Sequence, residues 1–173
     1  MLLSRSRFSK FLASVVLAPL AALTLGSAPA SADTISTHGT ICNRYGSFAE
    51  SDLLYTESGV WNFAASGTRS VICSIPRVPV PGGGQTFIVE GFSPPEQTTN
   101  CAILVFDTRG TSLGAKSFST TGFQYTRTLT FSAAELPNLA WVSLICTLPR
   151  GAYVRGIKAL NEATSTLPVL QPR

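Results

Sequence analysis

Along the chain from residue 34 to residue 160, short runs of Thr, Ser, Val, Ile and Phe are interrupted by Gly, Pro and Asn about every ten residues. Runs of β-branched and aromatic residues suit a pleated, half-buried surface, and turn residues at this spacing belong to a sandwich or barrel. The expected fold is all-β: a single antiparallel β-sandwich, jelly-roll or Ig-like, with one short helical turn. The pattern predicts strands over 34–42, 60–63, 70–75, 85–92, 101–107, 113–118, 123–131, 141–148 and 154–160.

Within this pattern the strands differ in character. Cys101-Ala-Ile-Leu-Val-Phe106 is apolar on both faces, which predicts a central strand covered on each side. Over 141–148, Val142, Leu144, Cys146 and Leu148 share one face. Over 123–131, Phe123, Tyr125, Leu129 and Phe131 share a face that Arg127 interrupts. A charge at that parity must be paired, sit at a bulge, or reach past a sheet edge while its stem packs, and the last is expected. The one helical signal, Ser132-Ala-Ala-Glu135, is a capping box cut short by Pro137 and predicts a single turn. Pro76, Pro79, Pro81 and Gly82-Gly83-Gly84 form a connector between strands of one domain.

Residues 1–32 read as a cleavable secretory signal. Arg5, Arg7 and Lys10 precede an uncharged stretch over 11–25, and Ala30-Ser31-Ala32 is a small-x-small cleavage site. A membrane span needs about 20 apolar residues, and Pro19 and Thr24 interrupt this stretch. The expectation is one disulfide-braced domain over 33–173, secreted or periplasmic, with no membrane span after cleavage. Three of the 13 Lys and Arg lie in the leader and all nine acids lie beyond it, so residues 33–173 carry a formal charge of only +1. That balance, with no Lys/Arg cluster, argues against nucleic acid as a partner.

The four cysteines, Cys42, Cys73, Cys101 and Cys146, are an even set in a chain read as exported, so full pairing is expected. No two are close enough in sequence to make a zinc knuckle. Four cysteines allow three connectivities. The sequential one, Cys42 with Cys73 and Cys101 with Cys146, is preferred because Cys101 and Cys146 lie in apolar strands expected to meet in the core. The rival joins Cys73 with Cys146 and Cys42 with Cys101. It follows an internal echo, Val71-Ile-Cys-Ser-Ile-Pro-Arg77 and Leu144-Ile-Cys-Thr-Leu-Pro-Arg150, whose simplest meaning is two similar strand ends.

With Cys42 early, Cys73 before a proline, Cys101 opening a buried strand and Cys146 in Cys-Thr-Leu-Pro149, the chain resembles a loose group of uncharacterised secreted bacterial four-cysteine proteins. The resemblance implies an exported β-sandwich and assigns no activity.

Catalytic motifs are few. His38 is the sole histidine, so a Ser-His-Asp triad or a common zinc site would have to be built on it; an exposed position on the first strand is the plainer expectation. Phosphate loops, nucleophile elbows and EF-hand spacings are missing, and no cofactor is expected. The expected function is a non-catalytic structural or binding module for a polymer, glycan or protein surface, its partner an extracellular or cell-envelope ligand. The competing reading is a small glycosidase-like hydrolase using two carboxylates from Glu90, Glu96, Asp107 and Glu135. The leading binding candidate is Trp141, whose parity matches Ser143 and Thr147 rather than the apolar set. The threonine row Thr126, Thr128 and Thr130 is a second, as a flat polar platform. Trp61, Tyr45 and Tyr153 are further aromatics available for stacking.

Overall fold

In the computed structural model, residues 34–77 and 83–160 are described; residues 1–32, read above as a cleavable signal, lie outside them, as do residues 33, 78–82 and 161–173. Eleven strands form: β1 Thr34–His38, β2 Cys42–Arg44, β3 Leu53–Thr56, β4 Gly59–Asn62, β5 Arg69–Ser74, β6 Gln85–Phe92, β7 Thr98–Phe106, β8 Ser112–Thr121, β9 Gln124–Phe131, β10 Trp141–Leu148 and β11 Tyr153–Leu160. They make two antiparallel sheets. The first has the order β3-β4-β11-β6-β9, with β1 also pairing β11, and the second the order β2-β5-β10-β7-β8. Only β3 to β4 and β7 to β8 are hairpins; every other connection crosses from one sheet to the other.

Alternation along the strands fixes which side is core. Val60, Phe87, Val89, Tyr125, Val154 and Ile157 from the first sheet meet Val71, Ile103, Val105, Val142, Leu144 and Leu148 from the second in one apolar layer. The sandwich expected from the sequence is thus formed. The strand over 85–92 and the strand over 141–148 occur with the predicted bounds, and most others shift by one to three residues.

Two expectations change. The single strand predicted over 34–42 is two strands in different sheets, separated by a 3-10 turn at Gly39–Ile41 that the His38 side chain caps by accepting from the Thr40 N–H. Gly39 permits this corner because its Cα lies against the Val154 carbonyl, where a Cβ would overlap the oxygen. Strand β3 was not anticipated: its four residues pair only with β4 at the sheet edge, too short a run to show alternation.

Both disulfides follow the sequential pairing, Cys42–Cys73 and Cys101–Cys146. Each joins residues directly opposite one another on adjacent strands of the second sheet, β2 with β5 and β10 with β7. The two echo segments are themselves neighbours. β5 and β10 are paired antiparallel with Ile72 opposite Ile145, so the echo is a local two-fold repeat at the sheet centre. Each echo strand carries one cysteine, bonded to its other neighbour. That arrangement matches the reading of two similar core strands.

The capping box forms. The Ser132 N–H donates to Glu135 Oε2 at 2.8 Å, and the Leu136 N–H closes the single turn on the Ser132 carbonyl at 2.9 Å. Arg127 sits opposite Val89 at core parity, but β9 is the outermost strand of its sheet. Its guanidinium therefore crosses the open seam between the sheets and donates to Thr120 Oγ1 on β8 at 3.2 Å. Lys116 does the same further along, with Nζ 2.6 Å from the Thr130 carbonyl and 5.0 Å from the Phe131 ring centroid. Cations at this seam close the edge of β9 without offering another chain an unblocked strand.

Candidate functional site

The outer face of the first sheet gathers the side chains that its strands turn away from the core. Val60 and Val154 are fully buried and directly paired, so their neighbours Trp61 and Tyr153, also paired, must point outward. Tyr153 is in turn opposite Phe92, and Phe92 is opposite Gln124. Four strands thus contribute one cross-strand row. The Trp61 and Tyr153 rings stack with centroids 4.2 Å apart, and the Tyr153 and Phe92 rings stack at 5.7 Å. Tyr153, sandwiched between the other two, keeps only 6% of its surface exposed. The Trp61 indole N–H donates to Thr56 Oγ1 at 3.1 Å, which holds the outer ring of the stack in place.

Beside this stack lies Phe123, in the two-residue corner Gly122-Phe123 that carries the chain from β8 to β9. Its φ is 58° and that of Gly122 is 69°. The left-handed region costs a bulky L-residue about 1–2 kcal/mol. The Ser93 N–H donates to the Phe123 carbonyl at 3.1 Å and fixes the corner. Burial offsets little of the backbone cost, since Phe123 is 71% exposed. Trp61, Phe92, Phe123, Gln124 and Tyr153 line an open depression of about 620 Å³.

The next row on the same face is polar. Moving two residues along a strand advances about 7 Å, so Glu90 follows Phe92 and Thr126 follows Gln124. β11 reaches this row through a bulge, where the register shifts between Val154 and Gly156. Val154 and Ile157 both point into the core, so the extra residue leaves Arg155 and Gly156 outside together. Arg155, His38, Glu90, Lys158 and Ser36 line a second depression of about 280 Å³. Lys158 Nζ is 2.8 Å from Glu90 Oε1. His38 is exposed, and both ring nitrogens are engaged: Nε2 donates to the Glu57 carbonyl at 2.7 Å and Nδ1 accepts from the Thr40 N–H at 3.3 Å.

The residues singled out from the sequence are divided between the two faces. Thr126, Thr128 and Thr130 are exposed on β9, opposite Glu90, Ile88 and Thr86, and only Thr126 is paired with a residue of the polar depression; Thr130 and Thr86 share a hydroxyl hydrogen bond of 2.9 Å. Trp141, 67% exposed, is on the outer face of the second sheet, across the core from the outer face of the first. It therefore does not share a site with the threonine row. Tyr45 is exposed just after β2 in the second sheet. Trp61 and Tyr153 are brought together, while Phe92, Phe123 and Gln124 were not singled out. The available signal was an aromatic at a strand end in each of three runs; only the register shows that these ends coincide.

The carboxylates offered for hydrolysis are dispersed. Glu90 pairs with Lys158, Glu96 lies in the loop after β6, Asp107 opens the β7–β8 turn, and Glu135 closes the capping box. Backbone N–H donors from Thr111 and Arg109 hold Asp107 below the usual carboxylate range. The Ser132 N–H, with Lys116 beside it, holds Glu135 down at about 2. A general acid needs the opposite shift. Among the described residues no group of three or more His, Cys, Asp or Glu is placed to hold a metal ion.

No protein-family model matches the chain, and no curated protein matches it. Among solved structures it is similar to the xylan-binding module CBM15, at 14% identity and a TM-score of 0.49 over 76% of this chain and 97% of that one. It is also similar to a structure of the infectious bursal disease virus Gt strain, at 10% identity and a TM-score of 0.41 over 81% of this chain and 34% of that one. A third is the family 35 carbohydrate binding module from Clostridium thermocellum, at 12% identity and a TM-score of 0.38 over 75% of this chain and 98% of that one. Likenesses this distant say nothing about a ligand.

Proposed function

We propose that this chain is a non-catalytic extracellular binding module that takes a glycan chain across the outer face of its first sheet. The observation that carries the reading is Phe123, an aromatic held in a left-handed backbone conformation and left exposed beside the Trp61–Tyr153–Phe92 stack. Folding alone gives little reason to keep a large ring there, and backbone strain maintained with little packing return is characteristic of ligand contacts. The depression at this end has the size of a small-ligand site. It is apolar on one side and bordered by Gln124, Thr126 and Glu90 on the other. A saccharide has matching character, with an apolar ring face and a rim of hydroxyls. Two disulfides add the expectation of an oxidising compartment, where such polymers are met.

The test is a pull-down of the oxidised domain against a panel of polysaccharides, followed by titration with the one retained. Phe123→Ala and Trp61→Ala should each weaken binding by about ten-fold or more, in keeping with the loss of a stacked aromatic, while Trp141→Ala leaves it unchanged. Loss of binding in Trp141→Ala with retention in the other two would place the site on the second sheet and overturn the proposal.

A further inference from the structure

Arg155 is the one side chain that the bulge in β11 adds to the outer face of the first sheet, because Gly156, which shares that outward position, has no side chain. Among the described residues its guanidinium makes no hydrogen bond or ion pair, which is also so for Arg109 and Arg150 in turns, whereas Arg44, Arg69, Arg77 and Arg127 each have a partner. The bulge is built into the packing. Gly39, Gly59 and Gly156 all lie so close to the backbone around it that a Cβ at any of them would collide with a carbonyl of Val154 or Thr37. The 3-10 turn, β4 and β11 thus hold a register shift whose outward product is one unpaired cation.

The surroundings leave that charge uncompensated. Glu90 is the only carboxylate lining the depression, and it is engaged by Lys158 at 2.8 Å. His38 has both ring nitrogens occupied by Glu57 and Thr40. The positive centre stands one row along the face from the Tyr153–Phe92 stack, within the span of neighbouring sugar units on a single chain.

Resting on the glycan reading above, we infer that the ligand is an anionic saccharide, a chain bearing carboxylate or sulfate groups, with Arg155 as the anion contact and the aromatic depression receiving an adjacent sugar ring. A guanidinium suits this role because its planar fork can hold either oxyanion by two parallel N–H donors.

Two matched pairs of polymers test it: polygalacturonate against its methyl ester, and dextran sulfate against dextran. The acidic member of one pair should bind about ten-fold more tightly than its neutral partner and lose the advantage in added salt. Which pair shows the difference identifies the oxyanion. Arg155→Gln should reduce the preference to within about two-fold, and Arg155→Lys should restore only part of it, as expected for loss of a bidentate contact. The melting temperature of Arg155→Gln should match that of the parent, since the side chain is exposed. Equal binding of acidic and neutral members, both weakened by Phe123→Ala, would overturn the anion inference while leaving the glycan reading intact. The same holds if Arg155→Gln keeps the full preference. Failure of every polysaccharide, charged or neutral, would overturn both.

Discussion

The Tyr125 hydroxyl donates to the Tyr153 carbonyl at 3.4 Å, over the backbone of Gly91 on the strand between them. Tyr125 is a core residue, and burial raises the pKa of its phenol, so the hydroxyl stays a donor. Tyr153 carries the central ring of the outer stack. The contact ties the position of the outer aromatic stack to the core.

Gly91 is the weak point of this tie. A Cβ there would overlap the Tyr153 carbonyl oxygen and the Tyr125 ring and hydroxyl. Gly91→Ala should therefore destabilise the domain by about 1–3 kcal/mol, the usual cost of overpacking, and weaken ligand binding as the stack shifts. Chemical denaturation and a binding titration on the same variant check both parts.

Phe123→Asn should have effects of opposite sign on stability and binding. Asn tolerates the left-handed conformation, so relief at φ 58° should leave stability unchanged or raise it by up to about 1 kcal/mol. Binding should fall. Denaturation midpoints show whether the strain is real: a clear loss of stability would mean that the ring packs in the fold and is not held for a ligand.

The two disulfides enclose 31 and 45 residues of sequence separation, for which chain entropy gives about 4 kcal/mol each. Removing either as a Cys→Ala pair should lower stability by about 2–4 kcal/mol, since measured effects fall at or below the entropic figure. Non-reducing peptide mapping of the parent should return the Cys42–Cys73 and Cys101–Cys146 peptides, and a Cys73–Cys146 peptide would contradict the register of β5 and β10.

Glu135 makes stability depend on acid. Its folded pKa, about 2, is below its ordinary value of 4.5, so its contribution is complete above about pH 4.5 and disappears as the pH falls towards 2. Melting temperature should drop across that window. In Glu135→Gln the drop should be shallower but still present, because Asp107 is depressed in the same direction by its turn hydrogen bonds. Thermal melts of the two proteins between pH 6 and pH 2 make the comparison.

Much of the architecture was determined locally, and therefore legible in the chain. Alternation along 142–148 sets the buried face of β10, the capping box at Ser132 produces its turn, and Pro76 and Pro149 follow the ends of the echo strands because proline cannot donate to a ladder. The cysteine pairing was also open to inference, since Cys101 and Cys146 occupy apolar strands. Arg127 at core parity foretold an edge strand, because a charge there must reach water. Other features depended on partners distant in sequence. The corner at Gly39 exists because the Val154 carbonyl lies against it, more than a hundred residues away. The aromatic row depends on register: Trp61, Phe92 and Tyr153 are ordinary strand-end aromatics until β4, β6 and β11 pair and bring them side by side. Trp141 and the threonine row have similar parity signals, yet the crossing of the chain between sheets sends them to opposite faces. A period of two specifies which residues share a side of one strand; only the packing of strands decides which sides become one surface.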